Sequence, residues 1–163
     1  MKNREQFFNE IFQICHPKVY RLCLGYFKGD TAVAEDVVQE VFIKVWLHMD
    51  TFREESSITT WVYRIAVNTC LMELRKSKPE TTRAVTSQVV SEPQTDDSQQ
   101  EKILLLNNCI SQLEPVNKLI ILLVLENTAY NEIASITGLN ETALRVRIHR
   151  IKKRLTKCVK HDS

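Results

Sequence analysis

The residues best suited to chemistry lie in one window, EIASITGLNETALRVRIHRIKKRL (132–155), and what they offer is recognition of a polyanion rather than bond making. Arg145, Arg147, Arg150, Lys152, Lys153 and Arg154 fall along one predicted helix. A basic rod of this kind suits a nucleic-acid groove lined by phosphates. The preceding residues form a shorter predicted helix that ends at Gly138. Small Ala134 lets two helices cross closely, and Ile133, Ile136, Leu139, Leu144 and Ile148 can lock one onto the other. Short helix, Gly turn and basic second helix make a helix-turn-helix, for which DNA is the natural partner.

Other chemistries find little support. No Gly-rich phosphate loop, HExxH motif or Ser/His/Asp setting is present, and His16, His48, His149 and His161 are scattered, so no catalytic residue is expected. Cys15, Cys23, Cys70, Cys109 and Cys158 include no CxxC pair. Cys15, His16 and Cys23 lack a fourth ligand at zinc spacing, so neither a metal nor a cofactor is implied. Most of the cysteines are expected to be buried small hydrophobes in a reducing cytoplasm. With no leader and no long apolar run, the chain is expected to be soluble, cytoplasmic and not inserted in a membrane. The net charge of +2 excludes a general polycation. Basic residues instead gather locally, eight of them between Arg145 and Lys160.

The elements that position these residues are helical throughout. Three glycines, four prolines and apolar residues every three or four positions predict an all-α chain of two small helical domains. A helix is predicted from Arg4 to about Ile14, with a second stretch after Pro17 that Gly29 and Asp30 end. Thr31 to His48 follows with the stripe Val33, Val37, Val41, Phe42, Val45 and Trp46, then a loop over 50–59 and a helix from Thr60 to about Lys76. Residues 77–102, mostly rich in Ser, Thr, Gln, Asp and Pro, predict a flexible linker between domains at 1–76 and 103–163.

The segments AEDVVQEVFIKVW (34–46), DTFREESSITTWVYRIAVN (50–68) and LMELRK (71–76), followed by LEPVNKLIILLVLEN and the helix-turn-helix, have a recognisable order and spacing. In them the chain resembles bacterial RNA polymerase sigma factors of the extracytoplasmic-function (ECF) group, sigma-70 class, over nearly all its length outside the linker. The resemblance implies core RNA polymerase and promoter DNA as partners, and an anti-sigma factor as a further one, with no small-molecule substrate. It implies docking on core polymerase through Asp36, Gln39, Glu40 and Phe42. It implies that the unpaired strand of the minus-ten element is held by Phe52, Arg53, Ser56, Ser57, Arg64 and Asn68, with Arg75 and Lys76 extending the cationic track.

For the minus-thirty-five element it implies Glu141, Thr142, Arg145, Arg147, His149, Arg150 and Lys153. Arg145 then suits a guanine edge and Glu141 a cytosine amino group, while Arg147, His149, Arg150 and Lys153 divide between phosphates and packing. The chain departs from the family pattern at Glu54, where Gly is common, at LEPVNK, which lacks the usual Arg after Pro, and at Ala143. The alternative, a stand-alone helix-turn-helix regulator with a sensing or dimerising N-terminal domain, leaves residues 34–68 without a role.

Overall fold

The computed structural model describes residues 3–76 and 97–161, without the side chains of 74–76. The elements are α1 (Arg4–Tyr26), α2 (Thr31–His48), a 3-10 turn (Met49–Thr51), α3 (Ile58–Lys76), α4 (Asp97–Ser111), α5 (Pro115–Leu125), α6 (Tyr130–Thr137) and α7 (Glu141–His161). Among the described residues there is no strand, so the chain is all-α. Most of the linker expected over 77–102 lies outside the described residues, and its last part, from Asp97, already belongs to α4.

Asn3 starts α1 with a capping box, its side chain accepting from Gln6 N at 2.8 Å while Gln6 returns an acceptor to Asn3 N. The helix runs unbroken through Pro17, where two stretches were expected. A proline inside a helix costs about 3 kcal/mol through the lost backbone bond and the ring clash. Ile11 and Cys15 before it, and Val19, Leu22, Cys23 and Tyr26 after it, are all buried in the same core, and that shared burial offsets the cost. Lys28 and Gly29 then turn the chain with positive φ, and Asp30 caps α2 by accepting from Val33 N.

Helices α1, α2 and α3 pack as one bundle, and α4 to α7 as a second group. The two groups do not stand apart. Helix α1 lies against α5 and α3 against α6, and the buried residues of both halves run together as one hydrophobic core. Gly25 permits a close approach of α1 to α5: a Cβ there would come within 2.8 Å of the Leu122 side chain.

Cys109 of α4 and Cys158 of α7 form a disulfide, where thiols in a reducing cytoplasm were expected for most of the cysteines. Cys15, Cys23 and Cys70 are free and buried, with the Cys23 and Cys70 sulfurs 3.8 Å apart between α1 and α3. The contact with Cys23, then burial, pushes the Cys70 thiol far up and keeps it protonated. The two cysteines are 49 positions apart in sequence. Reducing the bond is therefore expected to lower stability by about 2–4 kcal/mol, because the unfolded chain regains loop entropy. The check is a lower urea midpoint on adding reductant, matched by Cys109→Ser without reductant and not lowered further with it.

Candidate nucleic-acid interface

The helix-turn-helix is built as its residues require. Helix α6 ends at Gly138, whose φ of +77° is left-handed and whose N–H closes on Ala134 O at 2.8 Å. Asn140 then caps α7, its Oδ1 accepting from Thr142 N at 2.8 Å. Ile133 and Ile136 of α6 and Leu144, Ile148, Ile151 and Leu155 of α7 are buried, fixing which side of α7 turns outward.

At 100° per residue the opposite side carries Thr142, Val146, His149, Arg150 and Lys153, all exposed. The other residues expected at DNA lie to either side of that stripe. Arg145 is exposed on one flank, paired with Glu141 at 3.0 Å and lying over the Tyr130 ring at 5.1 Å. An exposed i,i+4 pair is worth only about 0.3–0.5 kcal/mol, less than the 1–3 kcal/mol of a bidentate guanine contact. The Arg145–Glu141 pair is thus easily exchanged for a base. Arg147 is half-buried on the other flank and donates to Asn117 Oδ1 of α5 at 3.2 Å. Val146 is missing from the residues expected at DNA; its signal is position, four residues after Thr142 on the outward stripe and 47% exposed.

The residues expected to hold an unpaired strand gather around the start of α3. Ser57 caps that helix, its Oγ accepting from Thr60 N at 3.1 Å, so its hydroxyl is committed to structure. Phe52 lies against Trp61 with ring centroids 5.6 Å apart, and both are half-buried. Ser56 is half-buried and Arg53 is exposed. Arg64 and Asn68, one turn apart on α3, are both exposed. The side chains of Arg75 and Lys76 lie outside the described residues.

Arg64 is already engaged. It donates to Ser135 O at 3.1 and 3.2 Å and to Ser135 Oγ at 2.9 Å, across to α6. Tyr63 beside it is buried, and burial first, then the Glu126 carboxylate, raises its phenol to about 12. It is a neutral packing group between the halves. Glu54 has φ of +58°, so a residue with a Cβ occupies the left-handed conformation that Gly adopts freely. Glu54→Gly is expected to stabilise the fold by about 1 kcal/mol. Urea unfolding checks this, and a lowered midpoint would show that the Glu54 side chain makes a contact outweighing the strain.

The third face is on α2. Asp36 and Gln39 are exposed, while Glu40 is half-buried and pairs with Lys44 at 3.5 Å. Phe42 is only 5% exposed, its ring 4.9 Å from Phe12 and 5.7 Å from His16. It floors a groove of about 760 Å³ between α1 and α2 rather than presenting a free edge. The exposed apolar residues of this face are Ile43, Trp46 and Leu47, 53%, 38% and 61% exposed, and none of the three is among the residues expected to dock. Their spacing after Asp36 and Gln39 was the available signal.

Among the described residues no group of three or more His, Cys, Asp or Glu is placed to hold a metal ion. No described helix is long and apolar enough to cross a membrane.

The comparisons with known proteins agree with this layout. Residues 11–80 match the family model of sigma-70 region 2, and residues 103–155 match that of sigma-70 region 4. The chain is 28% identical to the ECF RNA polymerase sigma factor SigW of Bacillus subtilis, over 96% of this chain and 90% of that protein. It is 31% identical to RNA polymerase sigma factor SigV of the same organism, over 82% and 80%. The solved structure of the sigma factor RpoE in complex with the anti-sigma factor NepR from Bartonella quintana has the same fold. Its TM-score is 0.73 at 20% identity, covering 97% of this chain and 99% of that one. With two region models in order and relatives matched over most of both chains, this protein belongs to the ECF group of sigma-70 RNA polymerase sigma factors, which direct promoter-specific initiation of transcription.

Proposed function

We propose that three faces divide the work of initiation. The exposed stripe of α2, Asp36 and Gln39 with Ile43 and Leu47, docks on core RNA polymerase, and Glu40 and Phe42 hold that face from the side and beneath. Its mixture of acid, amide and exposed aliphatic groups is the composition of an interface with an apolar centre and a polar rim. Phe52, Arg53, Ser56, Arg64 and Asn68 hold the unpaired minus-ten strand, with Ser57 fixing the start of α3 and Arg75 and Lys76 leading toward the duplex. Helix α7 enters the major groove of the minus-thirty-five element. This activity asks for no catalytic residue, metal or cofactor, and places the protein in the cytoplasm with the polymerase. Two relatives of like fold were solved as complexes, RpoE with the anti-sigma factor NepR and CnrH with the cytosolic domain of CnrY, which supports an anti-sigma protein as a further partner.

The observation that carries the reading is the outward side of α7, exposed and cationic opposite a fully buried stripe. Transcription in vitro with purified core polymerase over a genomic template library tests it: a defined set of promoters is expected. A chain that binds DNA but never core polymerase would instead fit the stand-alone regulator.

Within the minus-thirty-five face the roles separate. Arg145→Ala is expected to relax preference at one base pair by about 1–3 kcal/mol, whereas Lys153→Ala weakens all sequences alike and lowers the salt slope by about one unit. Val146 presents its methyl groups where a thymine methyl would meet them. Replacing that thymine by deoxyuridine is expected to weaken binding about fourfold, the equivalent of about 0.8 kcal/mol for one buried methyl-sized group, and to have no effect on Val146→Ala. Binding to single-position promoter variants at several salt concentrations measures all three.

A further inference from the structure

Helix α4 has little apolar surface with which to hold its place. It packs on α7 and α5, and of its 15 residues only Cys109 and Ile110 are buried. Leu106 is half-buried, while Ile103 and Leu104 are more than half exposed. So few buried side chains barely offset the entropy of fixing a helix of this length. What completes the seat is the bond from Cys109 to Cys158, in the last turn of α7.

That end of α7 depends on α4 in turn. Along the buried stripe of α7 exposure rises from 0% at Leu144 to 7% at Leu155, and Cys158 and Val159 beyond are only half-buried. The helix that presents Thr142, Val146, His149, Arg150 and Lys153 outward is thus least firmly seated at the end that the disulfide ties down.

The bond is also open to chemistry. Cys109 is 2% exposed and Cys158 half-buried, so an incoming thiol or disulfide meets the Cys158 sulfur first. Arg154 and Lys157, exposed on the same turns, draw an anionic partner toward it. Cys15, Cys23 and Cys70 are shielded in the core, and the Cys70 thiol stays protonated, so exchange is confined to the one pair.

We propose that Cys109 and Cys158 form a thiol–disulfide exchange site for small thiols and disulfides of the glutathione class, and that closing the bond raises the affinity of α7 for the minus-thirty-five element. The proposal rests on the reading of α7 given above. A protein that works beside the polymerase is in a reducing compartment, where disulfides are transient and report oxidation. In the reduced protein the Cys158 thiolate attacks one sulfur of oxidised glutathione and expels a glutathione thiolate. The Cys109 thiolate then attacks Cys158 Sγ of the mixed disulfide and expels the second. Two protein thiols give up two electrons and two protons, and one glutathione disulfide becomes two thiols; reduction runs the same steps backwards. The closed bond removes states in which α4 has left α7, so more molecules keep α7 seated, and only that fraction reads the duplex. Neither cysteine belongs to the proposed DNA-binding or polymerase-binding faces.

The test equilibrates the full chain, without oxygen, in buffers of varied reduced-to-oxidised glutathione ratio. Thiol trapping and peptide mass read the bond, and amide hydrogen exchange reads the seat of α4. Fluorescence anisotropy reads binding to a duplex carrying the upstream element of the promoter most used in genomic-library transcription. The Cys109–Cys158 bond is expected to follow the glutathione ratio while Cys15, Cys23 and Cys70 stay reduced. Reduction is expected to speed exchange in α4 and the last turns of α7 and to weaken duplex binding by about tenfold. Cys158→Ser, at the half-buried position, should bind like the reduced parent at every ratio. A bond that glutathione neither opens nor forms overturns the proposal, as does affinity equal within about twofold in the two states, or tighter binding by the reduced one. Affinity of Cys158→Ser that still follows the ratio would place the effect on another cysteine and refute the site. Failure of the underlying reading appears separately: neither state binds the duplex or supports core-dependent transcription, while exchange in α4 still responds to reduction.

Discussion

Phe52→Ala and Asn68→Ala are each expected to slow opening of a closed promoter duplex by about 5- to 150-fold, the equivalent of the 1–3 kcal/mol that one stacked or captured base contributes. Phe52 rests on Trp61 at the start of α3 and Asn68 is exposed two turns further along the helix. Neither lies on α2, so affinity for core polymerase should stay within about twofold. A template with a preformed bubble should recover part of the loss, because the cost of unpairing has been removed. Abortive transcript formation on duplex and bubble templates measures both. Equal loss on the two templates, with a lowered melting temperature, would assign these residues to folding instead. Asn68 is the cleaner of the two, since Phe52 also buries part of Trp61.

Ile148→Ala should have the largest effect on stability, about 2–5 kcal/mol. Its side chain is 2% exposed and lies in the buried stripe of α7, so removing it leaves a void that the surrounding helices cannot close. Minus-thirty-five binding should fall at the same urea concentrations at which α7 unfolds. Val146→Ala, on the opposite side of the same helix, should leave the urea midpoint within about 0.5 kcal/mol of the parent. Equal destabilisation by the two would mean that α7 is seated with a different side inward.

Much of this protein is set locally and was readable from residues alone. The recurrence of Val33, Val37, Val41 and Val45 at four-residue intervals after the Gly29–Asp30 break marks α2 from Thr31 to His48, because periodicity and chain breaks are short-range properties. Gly138 and the spacing of Ile133, Ile136, Leu144 and Ile148 mark the helix-turn-helix for the same reason: a left-handed turn and a two-helix seam each need particular residues at fixed intervals. Those signals determined an all-α chain with a basic reading helix near its C-terminal end.

Tertiary structure decided the rest. Pro17 reads as a break until burial on both sides of it is weighed, and Cys109 and Cys158 read as separate thiols until α4 and α7 are laid side by side. Arg64 reads as a strand contact and is bonded instead to Ser135 of α6; Phe42 reads as a docking residue and is buried between α1 and α2. In each case the deciding partner is distant in sequence, 71 residues away for Arg64 and 49 for Cys109. Side-chain type and spacing specify which contacts a residue can make, but which of them it makes is chosen by the packing of helices that only the folded chain brings together.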